Sequence, residues 1–174
     1  ERLRRHGFGT VAYVSNWSFI GDGTTYTDIV VGTSPLRHVW SLAIEEQLYL
    51  VLTLGVIGIA ATGPPAGLRK RFGIIAALLA VASAVWMAWL SSAGAPTERT
   101  YFGTDTRAQA MLVGAVIGAT LFGRPAEDRP IVRYGGWIGL GVLCAVSLFG
   151  TEDATWLHQG GFFVVALAAG AVVI

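Results

Sequence analysis

From Phe72 to Thr97 the chain carries no charged side chain, and the same is true from Tyr134 to Thr151 and from Ala154 to Ile174. A helix needs about 20 mostly apolar residues to cross the hydrocarbon core of a membrane. These runs therefore constrain the fold before any motif is read. Charged residues make up 13% of the chain, against about 25% in a soluble domain. That is too few to coat a soluble surface around buried helices of this length. Hydrophobic residues reach 53% and glycines number 23, and mean hydropathy is +0.59. Glycine is common in membrane helices. The expected fold is all-α, a polytopic transmembrane helical bundle, because unpaired backbone groups cannot face lipid.

Six spans are expected, at about Gly7–Gly21, Pro35–Ala61, Phe72–Leu90, Thr106–Phe122, Tyr134–Gly150 and Trp156–Ile174. A Gly-, Thr- and Asp-rich loop, GDGTTYTDIVVGTSP, separates the first two, and Gly-Pro-Pro ends the second. No repeat of 20–50 residues is visible. Residues 1–174 read as a single transmembrane domain. The first residue is not methionine, no signal-peptide pattern opens the chain, and an apolar run is still under way at Ile174. The expectation is an interior piece of a longer membrane protein whose last helix is cut. The single cysteine, Cys144, lies in an apolar run and is expected to pack as a small hydrophobe.

The cations sort the loops. Arg2, Arg4 and Arg5 precede the first span, Arg69, Lys70 and Arg71 follow the second, and Arg124, Arg129 and Arg133 follow the fourth. Only Arg37, Arg99 and Arg107 fall on the other side, with Asp22, Asp28, Glu98, Asp105, Glu152 and Asp153. The positive-inside rule puts the basic loops in the cytoplasm. The chain is therefore expected in the plasma membrane as a multi-pass protein, with the His38 and Asp105 side outward. The net charge of +1 hides this asymmetry.

The second span holds the main anomaly. The stretch RHVWSLAIEEQLYL places Glu45 and Glu46 side by side in an apolar helix. Ser34-Pro35 is a helix start, with Ser34 as N-cap and Pro35 in the first helical position. Glu45 then lies about 15 Å along the helix axis from Pro35. His38, Glu45 and Tyr49 share one helix face, and Glu46 points about a quarter-turn away. A charged residue at mid-membrane costs roughly 2.5–3.5 kcal/mol. Two readings stay open: polar glue between helices, and a functional pocket or relay. YVSNWSFI sets Asn16 and Trp17 near the outward end of the first span, and YFGTDTRAQAMLVG sets Asp105 and Arg107 at the outward start of the fourth. Arg107 is a candidate counter-ion for Glu45 or Glu46, or for a substrate anion. Convergence of these groups on one membrane face favours a site.

These three blocks, YVSNWSFI, SPLRHVWSLAIEEQLYL and YFGTDTRAQAMLVGA, resemble the membrane-bound acyltransferase 3 family, whose members often O-acetylate cell-envelope sugars. The resemblance covers about residues 10–121. It implies a polytopic enzyme that passes an acyl group, typically acetyl from acetyl-CoA or another acyl-CoA, to a hydroxyl of an envelope glycan. It implies a catalytic set of His38, Glu45, Glu46 and Arg107, and a substrate-binding set of Asn16, Trp17, Tyr49, Tyr101 and Asp105. Arg37 departs from the family's frequent apolar residue, and YLVLTL lacks the Trp-Pro that often follows the tyrosine. Family members also usually begin with earlier helices bearing an arginine and, about eleven residues on, a candidate catalytic histidine. No arginine here has such a partner, so those helices are expected upstream, and the piece alone is expected to be inactive.

Acyl transfer to an alcohol requires removal of the hydroxyl proton and stabilisation of a tetrahedral oxyanion. A histidine suits the first task. His38 and Glu45 are two turns apart, about 10 Å between Cα atoms, so the acids are expected to pair across helices. No Gly-rich phosphate loop marks a donor site. His6, His38 and His158 lack metal-ligand spacing, so no metal is expected. The short basic clusters do not make a nucleic-acid surface. The expected partners are the lipid bilayer and a carbohydrate or other hydroxyl acceptor. The competing readings are a secondary transporter or channel with buried Glu and Arg, and a non-catalytic membrane scaffold.

Overall fold

A computed structural model of the chain describes residues 2–23, 39–121, 130–151 and 154–174. Every regular element among the described residues is helical. In chain order these are α1 (Arg2–Val11), α2 (Ser15–Gly21), α3 (Val39–Ala61), α4 (Leu68–Ser92), α5 (Thr97–Phe102), α6 (Thr104–Leu121) and α7 (Pro130–Phe149). A π turn (Leu157–Gly161) then leads into α8 (Phe162–Val173).

The tightest packing is between α4 and α6. The buried residues of α4 are Gly73, Ala76, Ala80, Ser83 and Met87. Their spacing alternates three and four, the repeat that keeps one seam facing a partner helix. Four of the five are small, which lets the two backbones approach closely. A Cβ on Gly73 would sit 3.6 Å from the Ala119 Cβ. On α6 the facing buried residues are Thr106, Gln109, Leu112 and Val113. Helix α8 lies on the next side of α6, α7 packs on α8, and the π turn rests against α4. Helix α3 touches α4 and α6 more sparsely, and α2 bridges α3 and α5. The looser contact leaves an apolar cavity of about 400 Å³ bounded by α3, α4 and α6.

Helices α3 and α4 are long and apolar enough to cross a membrane, and the apolar helices Tyr134–Phe149 and Leu157–Val173 are shorter. The expected span Gly7–Gly21 is not one helix. It breaks at residues 12–14, where Tyr13 has φ 53°, and α2 folds back on α1. Gly9 makes this corner fit, since a Cβ there would lie 2.8 Å from the Ser18 hydroxyl and 3.3 Å from Ser15 Cα. The expected span Trp156–Ile174 is also interrupted. Gly160 takes φ 130°, and Gln159 leaves helical geometry with it; only glycine enters that region without strain. Cys144, expected to pack as a small hydrophobe, is exposed among the described residues.

Basic residues also cap. Arg69 Nη2 donates to the Ala119 carbonyl at 3.1 Å, near the end of α6, and Arg71 Nη2 donates to the Pro64 carbonyl at 2.9 Å. At Ala119 the cation satisfies a last-turn carbonyl of α6 and opposes the helix dipole, whereas the Arg71 bond lies in the connection between α3 and α4.

Close helix contact sets a sharp test. A Cβ on Gly139 of α7 would lie 2.5 Å from the Ala168 carbonyl oxygen of α8, whereas a Cβ on Gly141 meets nothing within 4 Å. Gly139→Ala should destabilise by about 1–3 kcal/mol, the usual cost of overpacking, because a backbone atom cannot rotate away. Thermal unfolding in detergent should show a lowered Tm for Gly139→Ala and an unchanged one for Gly141→Ala. Equal Tm values would mean that α7 and α8 are not in this contact.

Candidate active site

The polar end of the bundle is built around the start of α6. Ser83, in the α4 seam, donates to the Asp105 carbonyl at 2.5 Å and accepts from the Gln109 N–H at 3.1 Å. Those are the two groups an α-helix would join to each other, so the hydroxyl of one helix is inserted at the first turn of the next. The chain enters α6 through Gly103, extended at φ −66°, ψ 130°. Its lack of a side chain has a steric reason. A Cβ there would strike the Arg99 guanidinium, Asp105 Oδ1 and the Thr106 hydroxyl. Thr106, wholly buried, donates to the Thr100 and Gly103 carbonyls at 2.8 and 2.9 Å. The glycine and threonines of YFGTDTR thus hold a tight α5–α6 corner.

Asp105 sits ahead of the apolar span expected from Thr106. Arg99 grips it with two parallel bonds, Nη1 to Oδ1 at 2.9 Å and Nη2 to Oδ2 at 2.6 Å. Trp86 Nε1 donates to Oδ2 at 2.7 Å. Burial alone would raise this carboxyl, but the Arg99 and Trp86 bonds and the Arg99 charge outweigh it and hold it below its ordinary value. Arg99 also lies 5.3 Å from the centre of the Trp17 ring, which ties α5 to α2.

A second network lies between α2, α3 and α6. Asn16 is wholly buried. Its Nδ2 donates to the Phe102 carbonyl at 2.9 Å and to Thr104 Oγ1 at 3.0 Å. Its Oδ1 accepts from Gln47 Nε2 at 3.0 Å. Gln47 Nε2 also donates to the Tyr13 carbonyl at 2.5 Å, and Gln47 Oε1 accepts from Thr104 at 2.6 Å and from Trp17 Nε1 at 3.4 Å. Every amide atom of Asn16 and Gln47 is used. Above them Phe19, Trp40, Tyr101 and Phe102 pack edge-to-face or tilted, with Trp40 and Phe102 centroids 5.0 Å apart.

Arg107 is held separately. Its Nε donates to the Tyr101 carbonyl at 2.8 Å, and its guanidinium lies against both the Tyr101 and Phe162 rings, 4.1 and 4.3 Å from their centres. His158, almost wholly buried in the π turn, packs edge-on to Phe162 at 5.3 Å.

The sequence-derived site residues separate into groups. Asn16, Trp17, Tyr101, Asp105 and Arg107 all belong to the polar end. Glu45 and Tyr49 lie on the exposed side of α3, and Glu46 is half-buried. Gln47 is about 200° around the helix from Glu45, so the network and the Glu45–Tyr49 face look in opposite directions. His38, with Ser34, Pro35 and Arg37, lies outside the described residues. No group of metal-ligating side chains occurs among the described residues. Sequence reasoning missed Gln47, Thr104, Arg99 and His158 as structural members of this end. Gln47 stands beside the two acids that drew attention, and Arg99 stands six residues before its partner. Neither spacing announces a tertiary bond.

No family model and no solved structure matches the chain. Several known protein sequences do. A peptidoglycan O-acetyltransferase, OatA of Listeria monocytogenes, is 33% identical over 96% of this chain. A protein of Bacillus subtilis named as a candidate peptidoglycan O-acetyltransferase, YrhL, is 28% identical over 98% of it. A Staphylococcus aureus protein named as a candidate O-acetyltransferase is 28% identical over 95%. The chain is homologous to these O-acetyltransferases. The acyltransferase 3 resemblance drawn from its motifs therefore stands, and it extends beyond residue 121, where the motifs stop. The chain spans little more than a quarter of the length of these relatives, 27% of the first and 28% of the other two.

Two outcomes test the polar end of this O-acetyltransferase relative. Gln47→Leu should lower stability by about 1–3 kcal/mol, because the Asn16 and Thr104 groups that it satisfies stay buried without it. Gln47→Glu, which retains the acceptor oxygen for Thr104 but loses the amide donor, should fall between the two; Tm in detergent reads all three. The Asp105–Arg99 pair should respond to pH in one direction. The carboxyl is lower in the folded state than its unfolded value near 3.8, so the pair's stabilisation is complete above that value and is lost as pH falls through the folded one. The Tm difference between wild type and Asp105→Asn should be level from pH 5 to 8 and shrink below about pH 4. A difference that grows on acidification would reverse the assignment.

Proposed function

We propose that this chain carries part of the site of a multi-pass membrane O-acetyltransferase that moves an acetyl group from an acyl-CoA donor to a hydroxyl of a cell-envelope glycan. The observation that carries the reading is the match to named O-acetyltransferases over 95–98% of the chain. The polar end supports it, because residues from all three motif blocks meet there. In this reading the acceptor hydroxyl gives its proton to a base, its oxygen attacks the acyl carbon, and the thiolate of coenzyme A leaves and takes up a proton. His38 serves as base or acceptor ligand. Glu45 stabilises the charged imidazole or a neighbouring cation, and Glu46 holds Glu45 in place. Arg107 meets a substrate anion or the developing oxyanion. Trp17, Tyr49 and Tyr101 offer aromatic surface to the sugar. Asn16 and Asp105, whose side chains are already bonded within the protein, contribute by fixing the walls.

Six spans and a positive-inside orientation belong to the same proposal, with Arg69, Lys70 and Arg71 in the cytoplasm and Asp105 outward. The exposed Glu45–Tyr49 face of α3 is then the side from which an acceptor approaches. The alternative of a buried proton path through Glu45 and Glu46 in a transporter would give proton-coupled uptake rather than release of coenzyme A.

The decisive assay uses the full-length protein in membranes, with glycan acetylation and coenzyme A release measured beside extracted yield. Glu45→Gln should cut turnover by about a hundredfold or more, as loss of a proton-transfer or charge-stabilising group does, at near-normal yield. Glu46→Gln should act more on yield and Tm. Normal turnover in Glu45→Gln would leave that acid as polar glue. Cysteines at Thr24 and Ala95 should label with an impermeant maleimide from outside, and one at Gly67 should not.

A further inference from the structure

The polar end carries two aromatic side chains to which the acyl-transfer reading gives no task. Trp86 and Trp89 lie three residues apart near the end of α4 and stack almost parallel, with ring centres 4.9 Å apart and planes at 17°. Neither ring is covered: Trp86 is 41% exposed and Trp89 57%. Exposed indoles near a helix end commonly serve as interfacial anchors, with the ring at head-group level and the N–H toward water. Trp86 is built differently. Its N–H turns into the protein and donates to Asp105 Oδ2 at 2.7 Å, and Asp105 is itself held by two bonds from Arg99. The carboxylate thus fixes the plane of Trp86, and Trp86 fixes that of Trp89 by stacking on it.

The same ion pair reaches a third indole. Arg99 lies 5.3 Å from the centre of the exposed Trp17 ring, and Trp17 likewise turns its N–H inward, to Gln47 Oε1 at 3.4 Å. A row of Trp17, Arg99, Asp105, Trp86 and Trp89 therefore crosses the polar end, with polar bonds spent on orientation and ring faces left open. Rigid aromatic area of this kind binds at little cost in conformational entropy. Polar groups flank the Trp pair. Ser92, three residues on from Trp89, is exposed and accepts from the exposed Gln159 amide at 3.4 Å, which brings the π turn to the same rim. The occupant that suits this surface has an apolar face and an edge of groups that donate and accept hydrogen bonds. A pyranose ring has both, because its C–H groups form a face and its hydroxyls an edge. The slight positive charge on those C–H groups matches the negative face of an indole. A hydrocarbon chain lacks the polar edge.

We propose that Trp89, held in place by Trp86 and Asp105, is a stacking platform for a pyranose ring of the glycan acceptor, with Ser92 and Gln159 bonding hydroxyls at the edge of that ring. This site rests on the acyl-transfer reading for the identity of its glycan, and it adds to Trp17 a second sugar contact on the same row. Its task is to hold the acceptor chain, so it acts on KM rather than on kcat.

The test uses the full-length protein in detergent with soluble glycan fragments released from peptidoglycan. Binding is measured by equilibrium dialysis without an acyl donor, and kcat and KM for acetyl transfer are measured beside it. Trp89→Ala should weaken binding and raise KM by about tenfold, the upper end of what one aromatic contact contributes. Its kcat and Tm should stay near wild type, because a stacking contact away from the reacting atoms is the same before and during reaction. Trp89→Phe should keep most of the binding. Trp137→Ala removes an indole that is 68% exposed on α7 and should change neither quantity. Equal losses in the two alanine variants would mark both indoles as membrane anchors and overturn the proposal, as would wild-type binding in Trp89→Ala or no glycan binding by the wild type. Should Trp89→Ala fold poorly, the fluorine resonance of fluorotryptophan at Trp89, assigned by its loss in Trp89→Phe, should shift when fragments are added; an unmoved resonance would also overturn the proposal. Trp89-dependent binding in a protein that transfers no acetyl would keep the platform and remove the acyl-transfer reading. Normal transfer with no dependence on Trp89 would do the reverse.

Discussion

The close seam between α4 and α6 is the interaction on which the other helices depend. It works because Gly73, Ala76, Ala80 and Ser83 fall at alternating spacings of three and four, which keeps small side chains on one line over more than two turns. Were this pair in lipid, where there is little hydrophobic drive between apolar helices, contact area and interhelical hydrogen bonds would have to hold it. Ser83 supplies the bonds where the seam meets the polar end. By joining the backbone of α6 at Asp105 and Gln109, it fixes both the height and the rotation of that helix. Helix α8 then packs on α6, α7 on α8, and Arg69 ties the far end of α6 to the start of α4.

The polar end divides its labour in a way that suits a site. Three tightly bonded units, Arg99–Asp105–Trp86, Asn16–Gln47–Thr104 and Tyr101–Arg107–Phe162, fix the ends of α2, α3, α5 and α6 with little freedom left. A buried polar network that is satisfied throughout rigidifies the elements it joins. Glu45 and Tyr49 are outside these units, on the opposite side of α3 from Gln47. The bonds of this scaffold are thus made without Glu45 or Tyr49. Arg107 is held differently from Arg99, by its bond to the Tyr101 carbonyl and by the Tyr101 and Phe162 rings.

The sequence by itself determined the helical local structure and the relationship of the protein. Long charge-free runs leave helix as the local structure, and the helices at 68–92, 104–121 and 130–149 fall within a few residues of the expected spans. The three motif blocks named the O-acetyltransferase relationship, because they carry polar residues that an apolar helix would otherwise exclude. The seam was also written in the chain, since small residues at a three–four repeat are a one-dimensional pattern. Tertiary structure decided the rest. Residue spacing could not foretell that Gln47 rather than Glu46 bonds across helices, because a quarter-turn on a helix acquires meaning only when a neighbour occupies that side. Nor could it pair Asp105 with Arg99 instead of leaving it as a helix-end charge, since that bond depends on the corner at Gly103. The breaks at Tyr13 and Gly160 escaped hydropathy for a similar reason. Hydropathy averages over a window, whereas a helix breaks at a single residue whose backbone angles are set by what packs against it.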